Sequence, residues 1–396
     1  MTPLDREPPL RSIPMASQSL VLLTVLHFVV DCIASQLSPL WPELVRHYGL
    51  GQGGTFWLLL IWMLANSFSQ RAFGLIGDSP LARQLVWLGP AAAAICLGSV
   101  GLSTSPLLLV FLLICGGLGI AAFHPEGAAL AGNSWPASRS RAMSIFAMGG
   151  FLGQAMGPYL SGRCVDRSGL SGLAAGIAIG LAALALLRFC YRESHPPLAS
   201  NGFHAARDAV RVIIRHSFTV AMLLAIGSLR LVAASGVPIA ISYWLTTKEL
   251  PKAEIGLVQS CFLGGIGLGG LLCATFVRPG LERRILWLCP LLSAPLVLVI
   301  PFLDGVTLKS VTFLAALFQG IALPVFISYG QQLLPESQRV ASSITMGVSW
   351  GIGGAIVAGV IEITVQHAAF EACFQVFAAT TVASCLLCFG LGRPKQ

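Results

Sequence analysis

PLLLVFLLICGGLGIAAFHPEGAALAG, residues 106–132, runs from Pro106 to Phe123 without a charged residue and then sets His124 and Glu126 on either side of Pro125. A stretch of about 20 mostly apolar residues is what crosses the hydrocarbon core of a bilayer. Its interior glycines and proline fit that reading, because neighbouring helices shield the backbone groups they expose. Similar runs lie near 18–42, 54–77, 84–103, 141–163 and 170–190. After a polar stretch come 216–245, 253–277, 284–303, 308–333, 340–365 and 369–391. The expected fold is therefore an all-α membrane protein with twelve transmembrane helices.

Composition agrees. Of 396 residues, 55% are apolar and 10% charged, against about 25% charged in soluble domains. So few charges cannot cover the surface of a water-soluble fold, and lipid must be the main solvent. A net charge of +8 would suit nucleic acid only on a contiguous basic face. Here the basic residues fall in the gaps between apolar runs, so a nucleic-acid partner is excluded. The eleven cysteines lie almost wholly inside apolar runs, and the one C-x-x-C, Cys385 to Cys388, sits within the last span. They read as packing residues, and neither a disulfide framework nor a metal or cofactor site is expected.

Residues 1–17 are polar and proline-rich and read as a cytoplasmic tail. The apolar run that follows is broken by Asp31 and has no cleavage site of the signal-peptide kind. With both termini inside, 17 of the 24 Lys and Arg fall in cytoplasmic segments, six in outer loops, and Arg230 within a span. That excess is the positive-inside pattern. It sets Trp41, Trp57 and Trp244 at the outer interface and Trp87, Trp135 and Trp287 at the inner one, in the plasma (inner) membrane. Residues 191–215 form the longest polar stretch and read as a cytoplasmic linker. It separates an N-terminal six-helix bundle, 18–190, from a C-terminal one, 216–391; residues 392–396 are a second tail.

The halves repeat. A shift of 200 residues lays Leu81 through Pro90, LARQLVWLGP, on Leu281 through Pro290, LERRILWLCP, with five identities and two conservative exchanges. A shift of 198 sets Met148, Gly149 and Gly153 on Met346, Gly347 and Gly351. At 201, Gly119-Ile120-Ala121 falls on Gly320-Ile321-Ala322. Two pseudo-symmetric bundles follow, with binding expected between them near the midplane.

Ionisable residues inside spans are costly and mark functional positions. Asp31 lies about thirteen residues into the first span, ~20 Å along it, with His27 one turn earlier on the same face. Low dielectric disfavours the charged carboxyl, so Asp31 can take up and release a coupling proton; the competing role is a permanent salt bridge. Arg230 is permanently charged and requires a counter-ion or an anionic substrate. A shift of 199 relates it to Asp31, which would place the two charges in one central cavity. His124 and Glu126 fall in the cytoplasmic third of the fourth span, where a gate or proton path competes with a helix-end cap. Gln154, Tyr243, Tyr329, Gln331 and Gln332 are candidates to line the substrate cavity.

Gly74, Asp78 and Arg83 in GLIGDSPLAR resemble the loop signature that follows the second span in the major facilitator superfamily. Ser79, Leu81 and Ala82 depart from it, standing where basic, glycine and basic residues are usual. The resemblance implies a gating role for Asp78 and Arg83. Gly153-x-x-x-Gly157-Pro158 is similar to the signature of proton-coupled antiporters. Four further stretches resemble the fosmidomycin-resistance branch: Leu26-His27 through Asp31, FHPEG at 123–127, SIFAMGGFLGQAMGP at 144–158 and SYGQQLLPE at 328–336. That branch exports drugs against a proton gradient. The resemblance implies a monomeric, proton-coupled exporter of a small organic compound, anions included, working by alternating access. An importer on the same fold, a membrane-embedded enzyme and a non-transporting receptor are the other classes. The enzyme is disfavoured, because no phosphate loop or nucleophile elbow occurs.

Overall fold

Lipid offers the backbone no hydrogen-bond partner, so a chain this apolar satisfies its peptide groups within helices. The computed structural model describes residues 15–75, 80–135, 139–191, 211–277 and 280–392, and every regular element among them is helical. In chain order the principal helices are α1 (Met15–Ser35), α2 (Gly54–Met63), α3 (Pro80–Gly98), α4 (Pro106–Asn133), α5 (Arg139–Ser168) and α6 (Ala175–Cys190). They continue with α7 (Ser217–Thr247), α8 (Lys252–Phe276), α9 (Glu282–Val299), α10 (Gly305–Leu333), α11 (Ser349–His367) and α12 (Phe370–Leu387). Ten helical segments among the described residues are long and apolar enough to cross a membrane.

The two expected spans outside that ten differ for separate reasons. At 54–77 the helix is interrupted: α2 passes into a π-helical stretch, Leu64–Phe68, before resuming over Gln70–Leu75. The Ser69 hydroxyl donates to the Ala65 carbonyl and Gln70 Nε2 to the Asn66 carbonyl at 3.1 Å. Polar side chains that bond to their own backbone loosen the regular ladder in this way. α5 is long enough at 30 residues, but its middle, free of charge between Arg141 and Arg163, is less apolar than the other spans because it carries Gly149, Gly150, Gly153, Gln154, Gly157 and Pro158. The first span covers Gln18–His47, past its expected end, in two pieces: α1 to Ser35 and, after a tight turn at Ser38–Leu40, a short helix at Trp41–His47. Of the expected linker, 192–210 lies outside the described residues, whereas 211–215 is helical. Asp78 also lies outside the described residues.

α5 runs between α1 and α8. Gly149, Gly153 and Gly157, spaced one turn apart, meet the carbonyls of Thr24, Phe28 and Cys32 on α1 so closely that a Cβ would strike them. Gly153-x-x-x-Gly157 is thus the surface through which α1 and α5 approach, as small residues permit in membrane helices.

At one end of the molecule, two carboxylates each cap a helix from the other half. Asp166, on the last turns of α5, accepts from the N–H groups of Lys252 and Ala253 at the start of α8, both at 2.8 Å. Glu362, on α11, accepts from the N–H groups of Gly53 and Phe56 at the start of α2, at 2.7 and 3.0 Å. Gly53 and Lys252 stand 199 positions apart, inside the 198–201 shift of the repeat. The two capped helix starts are therefore counterparts, and the carboxylates that cap them stand 196 positions apart, just outside that shift. The first N–H groups of a helix lack internal partners and carry its positive pole, so a carboxylate is their natural acceptor. At the same end Tyr243 donates its hydroxyl hydrogen to Thr55 Oγ1 at 3.2 Å. The fully buried Gln259 bridges from α8 to the carbonyls of Ser38 and Pro238, at 3.1 and 2.6 Å.

Removing either cap, as Asp166→Ala or Glu362→Ala, is expected to speed hydrogen exchange in the first turn of α8 or α2 respectively. Loss of a cap worth ~1 kcal/mol corresponds to roughly five-fold faster exchange; unchanged exchange would show that the carboxylates hold nothing there. Gly153→Leu should lower thermal stability by ~1–3 kcal/mol or more through overpacking. Gly359→Ala, whose Cβ meets open space, should leave stability unchanged or raise it.

Candidate functional site

Three helices bring their polar residues to one point. α1 supplies His27 and Asp31, four residues apart and so on one face; α4 supplies His124; α5 supplies Gln154. Asp31 is buried, its side chain 4% exposed, with His27 at 10% and His124 at 24%. His124 Nε2 lies 3.1 Å from Asp31 Oδ1, and His27 Nε2 lies 3.4 Å from Oδ2. Gln154 Nε2 donates to Oδ2 at 2.8 Å. Gly150, one turn before Gln154, leaves the room these groups occupy: a Cβ there would strike the His27 ring and Asp31 Oδ2.

The other nitrogen of each ring is committed. His27 Nδ1 lies 2.8 Å from the Phe146 carbonyl oxygen, and His124 Nδ1 lies 2.9 Å from that of Ile120. A carbonyl can only accept, so the hydrogen is assigned to Nδ1 in both rings. Each Nε2 then faces the carboxylate either with a second proton, making the ring cationic, or with a lone pair. A lone pair against a carboxylate oxygen requires something positive between them. The His27 ring is held flat on Phe146, centroids 4.1 Å apart at 20°, and meets His124 edge-on at 5.3 Å. His27, Asp31 and His124 each offer a ligand atom within 4.8 Å of the others. No metal was expected from loop spacings, and a group assembled from two separate helices leaves no such spacing to find.

The remaining expected residues disperse. Glu126 is buried on α4, but two residues turn a helix by ~200°, so it does not share the face of His124. Arg230 is turned away from Asp31. Its Nη2 donates to the Leu286 carbonyl on α9 and contacts Cys388 Sγ at 3.3 Å, and its guanidinium lies 5.1 Å from the Phe326 ring centroid. Its Nε and Nη1 have no hydrogen-bond partner among the described residues. The two charges thus occupy separate clusters, contrary to the shared cavity expected from the repeat. The physical reason is angular: a shift known only to within 198–201 leaves up to three residues of slack, and each residue turns a side chain by ~100°.

Tyr243 belongs to the capped end described above. Tyr329 is buried and donates to the Gly392 carbonyl at 2.8 Å. Gln331 Nε2 donates to Ser342 Oγ at 2.9 Å, and Gln332 Nε2 reaches Ser328 Oγ at 3.5 Å. Arg83 is exposed at the start of α3. Sequence reasoning overlooked Glu362, Asp166 and Gln259. Glu362 was legible, being a carboxyl inside an expected span; Gln259 was not, because its importance lies in which carbonyls it reaches.

The pattern of the Major Facilitator Superfamily matches residues 23–358. The chain is 26% identical over 356 residues to the MFS-type transporter YfnC of Bacillus subtilis (strain 168), covering 86% of each. It is 23% identical to the fosmidomycin resistance protein of Escherichia coli (strain K12), covering 90% of this chain and 88% of that one. Among solved structures, the nucleoside transporter NupG superposes with a TM-score of 0.74 at 14% identity, covering 94% and 99% of the two chains. A bacterial homologue of the human lysosomal transporter Spinster, inward-facing and unoccupied, superposes at 0.65 and 16% identity, covering 96% and 95%. A family pattern spanning most of the chain, ten apolar helices and transporter folds on both sides of the comparison agree: this protein belongs to the Major Facilitator Superfamily, a family of multi-pass membrane transporters.

Proposed function

We propose that the protein is a proton-coupled secondary transporter of the plasma membrane that exports a small organic compound by alternating access. Its twelve spans form two six-helix halves, and it works as a monomer. The observation that carries this reading is the buried Asp31 carboxylate facing two imidazole Nε2 atoms. Each of those nitrogens gains or loses a proton without disturbing its Nδ1 anchor, so the site can change charge with little rearrangement. The likeness to a fosmidomycin resistance protein supports export of a drug-like compound.

Orientation follows from the basic residues. With both termini cytoplasmic, the capped end is the outer one, and closing it leaves the transport path open toward the cytoplasm. Asp166 and Glu362 then act as outer latches, each tying one half to a helix start of the other. Switching outward requires both to release. His124, the most exposed of the three ionisable groups at the site, is the side chain through which protons and water reach Asp31. Gln154 positions the carboxylate. Arg230 belongs to the interior of the C-terminal half, and no substrate charge is assigned from it.

Asp31→Asn keeps the shape and the contact with Gln154 but cannot carry the charge. It should reduce proton-driven export from vesicles to background while leaving gradient-independent exchange largely intact; an Asn variant that still concentrates substrate would remove Asp31 from the coupling step. In the same assay, substrate moving inward with the proton gradient would establish an importer. Arg230→Met is expected to retain transport with unchanged or raised thermal stability. A buried cation with two unpaired donors and no anion beside it among the described residues gives little net stability, and an apolar replacement of similar size is often neutral or better. Loss of transport in a well-folded Arg230→Met protein would return Arg230 to the substrate path.

A further inference from the structure

Viewed as coordination chemistry, the same three side chains have properties that transport alone does not call for. We propose that His27 Nε2, His124 Nε2 and one Asp31 oxygen form a binding site for a single divalent transition-metal cation of the zinc class.

Four observations converge on it. The donor set, two imidazoles and a carboxylate, suits zinc and its neighbours; magnesium and calcium favour sites built of oxygen. Both rings are pre-set in the one tautomer that frees Nε2 for a metal, with Nδ1–H bound to the Phe146 and Ile120 carbonyls at 2.8 and 2.9 Å. Metal-ligating histidines characteristically donate their second N–H to such an acceptor, which fixes ring orientation. The carboxylate is likewise oriented, by Gln154 Nε2 at 2.8 Å.

The spacing is the fourth observation. With metal–nitrogen distances of ~2.0–2.1 Å, a tetrahedral ion holds its ligand atoms ~3.3 Å apart. His124 Nε2 stands 3.1 Å from Oδ1 and His27 Nε2 3.4 Å from Oδ2, so each ring is already at ligand spacing from one oxygen of the carboxylate and a single-oxygen site needs the other ring to close in. All three ligand atoms lie within 4.8 Å of one another, so a contraction of at most ~1.5 Å completes the set. Three protein ligands leave the fourth tetrahedral position for water or an exchangeable group. His124, 24% exposed, is the side from which that position is reached.

Charge explains how one pocket serves two occupants. Two protonated imidazoles with an ionised Asp31 carry a net charge of +1, and so do two neutral imidazoles, the same carboxylate and a divalent cation. Metal thus replaces two protons without changing the charge left in low dielectric, and binding releases them. Competition of zinc with the coupling proton rests on the transport reading above; the binding itself does not.

The test uses the full chain, purified without a polyhistidine tag, titrated with Co2+ and followed by its visible ligand-field absorption, with Zn2+ measured by equilibrium dialysis. One Co2+ per chain is expected, displaced by Zn2+ and not by Mg2+ or Ca2+. His124→Ala and Asp31→Asn should each abolish the Co2+ spectrum. Gln154→Ala, which removes no ligand and so keeps the site foldable, should weaken affinity by roughly 10- to 100-fold. Absence of bound Co2+ would overturn the proposal. So would binding that survives all three changes, or a spectrum dominated by thiolate charge transfer, which would place the ion on cysteines. Stoichiometric binding by the unsubstituted chain, with coupled transport persisting in Asp31→Asn, would leave the metal site standing and remove the coupling reading. No binding by the unsubstituted chain, with coupling lost in Asp31→Asn, would do the reverse.

Discussion

A carboxyl group buried in an apolar helix is the constraint around which the N-terminal half is arranged. Stripped of water, Asp31 costs several kcal/mol unless donors or cations replace its hydration. One donor is unconditional: the amide of Gln154. The other two neighbours, Nε2 of His27 and of His124, help only when a proton or a cation stands between each ring and the carboxylate. The site is therefore complete only in its occupied states. Both proposals made for it, protons in transport and a metal ion in coordination, follow from that one incompleteness.

Such a site needs three helices within side-chain reach, and glycine provides it. The α1 carbonyls of Thr24, Phe28 and Cys32 lie against Gly149, Gly153 and Gly157 of α5, which brings Gln154 close to Asp31. Gly150, on the adjacent face, leaves space for the His27 ring and the carboxylate. Substituting bulk at any of these positions would separate α1 from α5 before it affected chemistry. A motif read as a signature of antiporters is here a packing surface first, and it serves the site through that packing.

The capped end shows the repeat operating at the level of interactions. Asp166 meets the start of α8, and Glu362 meets the start of α2. In each case one half supplies a charge and the other supplies the unpaired N–H groups of a helix. Neither cap is a conventional ion pair, so neither needs a complementary charged residue. Counting opposite charges along the sequence would overlook both. Helix termini carry their electrostatics in the backbone, whatever residues stand there.

Much of the architecture was legible beforehand, because hydropathy and the repeat depend on composition over many residues. The expected spans 106–132, 216–245 and 308–333 reappear as α4, α7 and α10 with ends within three residues. Expectations that needed a side-chain direction fared differently. His124 and Gln154, assigned to separate tasks, meet on Asp31, whereas Arg230, expected opposite that carboxylate, reaches Leu286 on α9 and Cys388 just past α12. In the second expected span, serine and glutamine side chains bond to the backbone carbonyls of the preceding turn, and an interrupted helix replaces a continuous one. Sequence by itself determined the solvent, the helical class, the repeat and the cost of each buried charge, all of which follow from residue type and spacing. Only the tertiary structure decided which charges meet, because a helix turns its side chains by ~100° per residue and a partner 93 or 123 positions away leaves no trace in local spacing.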